Sequence, residues 1–443
     1  MSAVLHRSLR TTLPTVVSGD GIYLFDATGK RYIDASGGAA VSCLGHSHPA
    51  VIRAITEQLG KVPFAHTSFF TNEPSEELAQ WLVDRAPAGF GKGRVAFAGS
   101  GSEAMEIALK LARQYHVERG ATTRRRFISR VGAYHGNTLG ALAVGGHEAR
   151  RRPYLPMLME TFQIEACHAY RNKRDDETLE EYGLRAANEL ESKILELGAD
   201  SVAAFLAEPV GGATLGCITP APGYFKRIRE ICDQYGVLLI ADEVMCGMGR
   251  TGALFASADE GIAPDIITIA KGLGAGYQPI GATMAHERVV AALSEGSGQL
   301  ANGHTYMSHA VACAGALAVL KSIEADGLIE NVKARGAQLE QELRARFGQH
   351  ANVGDIRGRG LFWAIEIVED RASKAPFPAA RNLAARIKTE ARERGLICYP
   401  SGGTADLTNG DHVLLAPPFI CTEADITAIV DLVEASVNAV LAS

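Results

Sequence analysis

Short apolar runs, rich in branched residues and separated by longer stretches of helical periodicity, set the pattern of the chain. Residues 94–98 (RVAFA), 126–131, 202–207, 237–241 and 266–270 show little polar alternation, as expected of strands buried on both faces of a parallel sheet. After the first run, Ala104, Ile107, Ala108, Leu111, Ala112 and Tyr115 recur at helical spacing, and a second helix is predicted over 224–234. Strands alternating with helices in this way predict an α/β fold around a mostly parallel central sheet. The two ends read differently. GIYLFDATGKRYIDAS is two strands joined by a turn at 27–30, and Asn72 with Pro74 marks the start of a helix. Residues 160–200 read as a polar, helical surface excursion, and 310–323 as a small-residue helix for a core or an interface. From about 331 charged helices give way to strands in DIRGRGLFWAIEIVED, a helix near 378–394 and a last apolar-periodic stretch, which together read as a small α+β unit.

With 443 residues the chain is long enough for two or three domains. A net charge of −6 argues against a general nucleic-acid binder. Two local basic runs, 124–126 and 150–152, read first as solvated faces and second as a landing place for an anionic part of a substrate. Eight scattered cysteines without a CxxC pair predict reduced thiols, and His46 with His48 lacks a third nearby ligand, so no metal site is expected. No apolar run reaches the ~18 residues that span a bilayer, and residues 1–21 lack the apolar core of a signal peptide. The expected location is cytoplasmic, with no membrane partner.

Chemistry concentrates between 237 and 276. One apolar run ends in Asp242 and another in Lys271, and in an open α/β sheet the carboxyl ends of strands are where ligands bind. A lysine forms a Schiff base with an aldehyde cofactor, and a carboxylate holds that cofactor's ring nitrogen protonated. Upstream, Ser100, Gly101 and Ser102 fall at a helix N-terminus, where free N–H groups favour a phosphate. The same residues match the dinucleotide fingerprint through Gly99, Gly101 and Ala104. That reading lacks the acidic residue it needs about 20 positions on, because the next strand ends near Arg130. Tyr134 and His135 follow that strand in a glycine-bounded loop, where a tyrosine either packs or lies flat against a ring.

DEVMCGMGRTG, IAKGLGAGYQPIGA, YHG and GHSHP resemble the class III (ω-type) aminotransferases, along nearly the whole chain. The resemblance implies a fold type I transferase that uses pyridoxal 5'-phosphate. It implies a large domain over 61–330 and a small α+β domain over 331–443, to which residues 1–60 contribute. Lys271 and Asp242 become the catalytic pair. Ser100, Gly101 and Ser102 become the phosphate cradle, Tyr134 the ring's stacking partner, and Val244 the support of its opposite face. His135 and Glu208 join them at the cofactor. Thr305 is implied to reach the phosphate of a partner subunit, hence a homodimer with shared sites. The implied reaction moves an amino group by a ping-pong route from an amine or β/ω-amino donor to a 2-oxo acid, aldehyde or ketone. Aminomutase or decarboxylating chemistry on the same scaffold is the alternative.

The chain departs from the family in three places. Ala310 stands where a proline usually follows the histidine, which concerns only the start of a helix. The glutamate–arginine pair of members that handle ornithine or γ-aminobutyrate is replaced by Ala213 and Leu414. The mobile arginine of amine:pyruvate members is also missing, with Leu407 and Thr408 nearby. The pocket wall at Ala213 and Leu414 is therefore expected to be apolar.

Overall fold

The computed structural model describes residues 2–442. Its strands form three sheets. Near the N-terminus β1 (Val16–Asp20), β2 (Tyr23–Asp26) and β3 (Arg31–Asp34) make an antiparallel meander. The central sheet uses β4 (Arg94–Ala98), β5 (Arg126–Arg130), β6 (Phe162–Ile164), β7 (Val202–Ala207), β8 (Leu238–Asp242), β9 (Ile266–Ile269) and β10 (Gly281–Ala285). Towards the C-terminus β11 (Val353–Arg359), β12 (Phe362–Ile367), β14 (Tyr399–Gly402) and β15 (Asp411–Leu415) pair antiparallel. The short β13 (Leu396–Ile397) instead joins β3 in parallel, tying the late chain to the first sheet.

The central sheet has the order β4-β10-β9-β8-β7-β5-β6. Five neighbours from β9 to β6 run parallel, and β10 is antiparallel to both β9 and β4. Six strands therefore point one way and end at one edge, and the reversed β10 begins at that edge. The two faces separate by residue parity, as a pleated strand requires. Ala204, Leu206, Leu238 and Ile240 pack with helix Gly101–Glu118, whereas Phe205, Ala207 and Leu239 pack with helices Leu179–Leu197 and Tyr224–Tyr235. Burial on both faces explains why these strands carry no polar alternation.

Two expectations fail here. Residues 160–200 are not a surface excursion: β6 pairs with β5, Ile128 opposite Phe162, and helix Leu179–Leu197 buries Tyr182, Ala186, Leu190 and Ile194. That stripe recurs every four residues, but charged neighbours dilute it to the eye. The predicted helix near 378–394 starts later, at Leu383, because Asn382 takes a left-handed φ of 49° after a single 3-10 turn. Strand β10 (GATMA) is made of residues too small to announce a strand. Elsewhere the caps match the reading: Asn72 Oδ1 accepts from Ser75 N at 3.0 Å and starts helix Glu73–Asp84.

Candidate active site

The common edge of the central sheet opens on a cavity of about 450 Å³. The end of β8 places Asp242 there, the turn after β9 places Lys271, the residue after β7 is Glu208, and the loop after β5 carries Tyr134 and His135. The turn between β4 and its helix brings Ser100, Gly101 and Ser102 to the same space, and Gln278 and Ile280 approach it just ahead of β10. Six chain segments thus meet at this edge, where β4, β5, β7, β8 and β9 end and the reversed β10 begins.

Asp242 is only 3% exposed. Its Oδ2 lies 2.7 Å from His135 Nδ1, and its Oδ1 accepts from Val244 N at 3.0 Å. His135 Nε2 is buried without a partner. Glu208 accepts from the Tyr134 amide at 3.1 Å and the Gly212 amide at 2.7 Å, bracing the Tyr134 loop. Burial raises the Glu208 carboxyl, the Asp242 charge adding to this and His135 opposing it. Lys271 has a φ of 47°, a conformation that costs a residue with a Cβ about 1–2 kcal/mol. Bonds from the Gly274 and Ala275 amides to its carbonyl, 3.1 and 2.9 Å, close that turn. Among the described residues its Nζ has no hydrogen-bond partner. Burial lowers the ammonium pKa of Lys271, the Asp242 and Glu208 carboxylates working against that and the Arg150 charge with it. A lysine so placed gives up its proton more readily than a solvated one.

At the other end of the cavity Ser100 caps helix Gly101–Glu118, its Oγ accepting from Glu103 N at 3.2 Å. Ser102 Oγ accepts from Asn137 N at 3.0 Å, joining the cap to the Tyr134 loop. A Cβ on Gly101 would stand 2.9 Å from Val244 Cγ1, so only glycine lets that turn close over the end of β8.

Thr305 is not with the others. It is exposed, beyond this cavity, beside an equally exposed Tyr306. Ala213 and Leu414 belong to one apolar cluster with Val210, Cys217 and Phe362, but neither lines the cavity. The cluster reaches the wall through Met245. Met245, Gln278, Pro279 and Val41 are lining residues that the reading did not assign. Val41, Met245 and Gln278 carry no chemical signal in the sequence. His46 pairs with Asp34 at 3.4 Å, and among the described residues no cluster of His, Cys, Asp and Glu could hold a metal ion.

The sequence model of the class-III aminotransferases matches residues 5–437. The chain belongs to that family. It is 46% identical over 431 residues to an aminotransferase of Schizosaccharomyces pombe, covering 97% of this chain and 94% of the relative. It is 39% identical to one of Bacillus subtilis, covering 99% and 98%. The omega transaminase of Pseudomonas jessenii, solved in complex with PMP, superposes with a TM-score of 0.90 at 36% identity, covering 97% and 93%. These relatives bear out the fold type I architecture and amino-group transfer, and they do not favour an aminomutase or decarboxylating reading. Class III aminotransferases work with pyridoxal phosphate, and this cavity fits it. The helix N-terminus at a Gly101 that admits no side chain suits the phosphate, the buried Asp242 suits a ring nitrogen, and the unpartnered Lys271 Nζ suits the aldehyde. Among the described residues no helix is long and apolar enough to cross a membrane.

Proposed function

We propose that this class III aminotransferase draws its amino group from amines or β/ω-amino compounds, with Lys271 and Asp242 as its catalytic pair. The observation that carries the roles is the buried His135–Asp242 contact on one strand end beside an unpartnered lysine on the next. Pyridoxal phosphate supplies a reactive aldehyde and an electron-accepting ring. With that group bound, Lys271 Nζ would take the proton from the donor's amine-bearing carbon as base and give it up again as acid. The Asp242 carboxylate, oriented by His135, would keep the ring nitrogen protonated. Tyr134 and Val244 would pack against the ring, Glu208 braces the Tyr134 loop, and Ser100, Gly101 and Ser102 would hold the phosphate.

The donor class rests on the apolar group behind Met245, where Ala213 and Leu414 leave no charge for an α-carboxylate. Each CH₂ buried against the Met245 side of the cavity gains about 0.8 kcal/mol. Donor efficiency should therefore rise with length across unbranched amines, read as the rate at which each bleaches the yellow holoenzyme. Ornithine and γ-aminobutyrate as the fastest donors would refute this reading.

We further propose a homodimer in which Thr305 completes the partner's phosphate site. Exposed Phe69, Phe70 and Tyr306, at 78%, 67% and 65%, support a covered face here. A monomer in sedimentation at micromolar concentration would end that proposal. Division into 1–60, 61–330 and 331–443 is proposed with it, supported by the β3–β13 pairing and testable by limited proteolysis cutting near 330. Eight free, buried cysteines support a cytoplasmic location, which fractionation of the source cells would test.

A further inference from the structure

An aminotransferase that accepts a 2-oxo acid needs a cation for its carboxylate. The two arginine positions implied by the family resemblance hold Leu414 and the Leu407–Thr408 pair. A different arginine is on hand. In the run Arg150, Arg151 and Arg152, the last pairs with Glu148 at 3.0 Å and faces solvent. Arg151 is half-buried with its Nε unpartnered. Arg150 is half-buried too, and its guanidinium carbon stands 4.8 Å from the centroid of the Tyr134 ring, which lines the cavity. Among the described residues the Arg150 guanidinium has neither an ion pair nor a hydrogen bond, its backbone amide alone donating to the His147 carbonyl. Its charge nevertheless reaches Lys271, where it helps lower the ammonium pKa. A half-buried guanidinium with no counter-ion is suited to an anion that arrives with the substrate, and its planar fork matches a carboxylate.

We propose that Arg150, one side chain back from the cavity behind Tyr134, receives the carboxylate of the 2-oxo acid acceptor. This rests on the aminotransferase reading above and deepens it. It explains how the chain manages without an arginine at 414 or 407–408. It also gives Tyr134 a second task, because the ring steers the guanidinium by a cation–π contact.

The test compares two acceptors of similar size, pyruvate and propanal, with holoenzyme and a donor amine that has no carboxylate. Arg150→Ala should lower kcat/KM for pyruvate by about 30-fold or more, chiefly through KM, the low end for truncating one member of a charge pair. Propanal should change by less than about threefold, since it brings no charge to pair. Arg150→Lys should recover part of the loss for pyruvate. Arg152→Ala, which removes only the solvent-facing ion pair, should leave both acceptors unchanged. Calorimetric titration with propionate needs no turnover, so it decides the point even for a poor acceptor or an unsuitable donor. Wild-type holoenzyme should bind propionate at least about 30-fold more tightly than Arg150→Ala. Equal losses for pyruvate and propanal would assign Arg150 to packing on Tyr134 alone and overturn the proposal, as would unchanged propionate binding. Failure of the wild type with every amine and acceptor would instead strike the proposed function.

Discussion

Two buried carboxylates, one in the central sheet and one in the C-terminal sheet, show when burying a charge makes a site and when it makes a scaffold. Glu366 on β12 is fully buried, and cations surround it. Arg357 Nη1 donates to its Oε2 at 2.6 Å, Arg171 bonds its Oε1, and His168 lies 3.7 Å away. Burial alone would raise this carboxyl, but Arg357, His168 and Arg171 outweigh it and hold it well below the usual range. Arg357 also donates to the carbonyls of Leu215 and Gly216, so the cluster clamps the C-terminal sheet onto the chain between β7 and β8. At the cavity the accounts do not close. Among the described residues the Asp242 carboxylate has one histidine and one amide, His135 Nε2 has no partner, and Lys271 Nζ makes no hydrogen bond. Saturated charges fix geometry. Unsaturated ones on the same fold wait for a cofactor and a substrate to complete them.

The sharpest way to break this contrast is Lys271→Ala. Turnover should fall by at least about 10⁴-fold, the upper range for a positioned acid–base group, while the far-ultraviolet circular dichroism and urea midpoint stay at wild-type values. Measurable turnover near the wild-type rate would remove Lys271 from the mechanism. Asp242→Asn comes next. The amide keeps the shape but loses the charge, and the loss of about 3–4 kcal/mol of electrostatic stabilisation predicts roughly a 100- to 1,000-fold slower donor half-reaction. A rate within threefold of wild type would show the ring nitrogen does not depend on this charge.

Glu366→Gln should do the opposite of both. Removing Glu366 leaves Arg171 without its carboxylate and Arg357 with Asp355 alone, 2.8 Å away, at a cost of about 3–5 kcal/mol of stability. Protein that still folds should keep its turnover per mole of bound cofactor. A variant as stable as wild type, or one that loses catalysis before stability, would erase the distinction between the two regions.

The smallest effect is one of pH. His412 sits opposite Glu366 in the β12–β15 pairing, wholly buried, with its Nδ1 2.6 Å from Thr404 Oγ1. Burial lowers its imidazole to about 3, with the Arg357 charge acting the same way and Glu366 opposing. The folded pKa lies below the unfolded value near 6.5, so the unfolded chain binds the extra proton. The His412 contribution is therefore complete above pH 6.5 and is lost as pH falls from 6.5 towards 3. Unfolding free energy in urea should drop as pH falls from 6.5 to 4.5. His412→Gln should reduce that slope by about one proton, or 1.4 kcal/mol per pH unit. An unaltered slope would mean another group carries it.

Much of this was legible in the chain, for local reasons. The bounds of β4 and β7 and the cap at Ser100 follow from apolar runs and from a serine ahead of a helical stripe, and both are properties of a few adjacent residues. Asp242 and Lys271 could be singled out because a charged residue that terminates a buried strand is visible in one dimension. The tertiary structure decided what depends on packing across the sheet. It made β10 a strand, since GATMA gains its pairing only from the Ala98 and Ile269 edges. It drew β6 and helix Leu179–Leu197 into the core, and it set Ala213 and Leu414 behind Met245 rather than on the wall. It also separated three consecutive arginines, one to solvent, one half-buried with an unpartnered Nε, and one over Tyr134. Adjacent residues in a chain share their composition but not their surroundings, and a charge takes its chemistry from its surroundings.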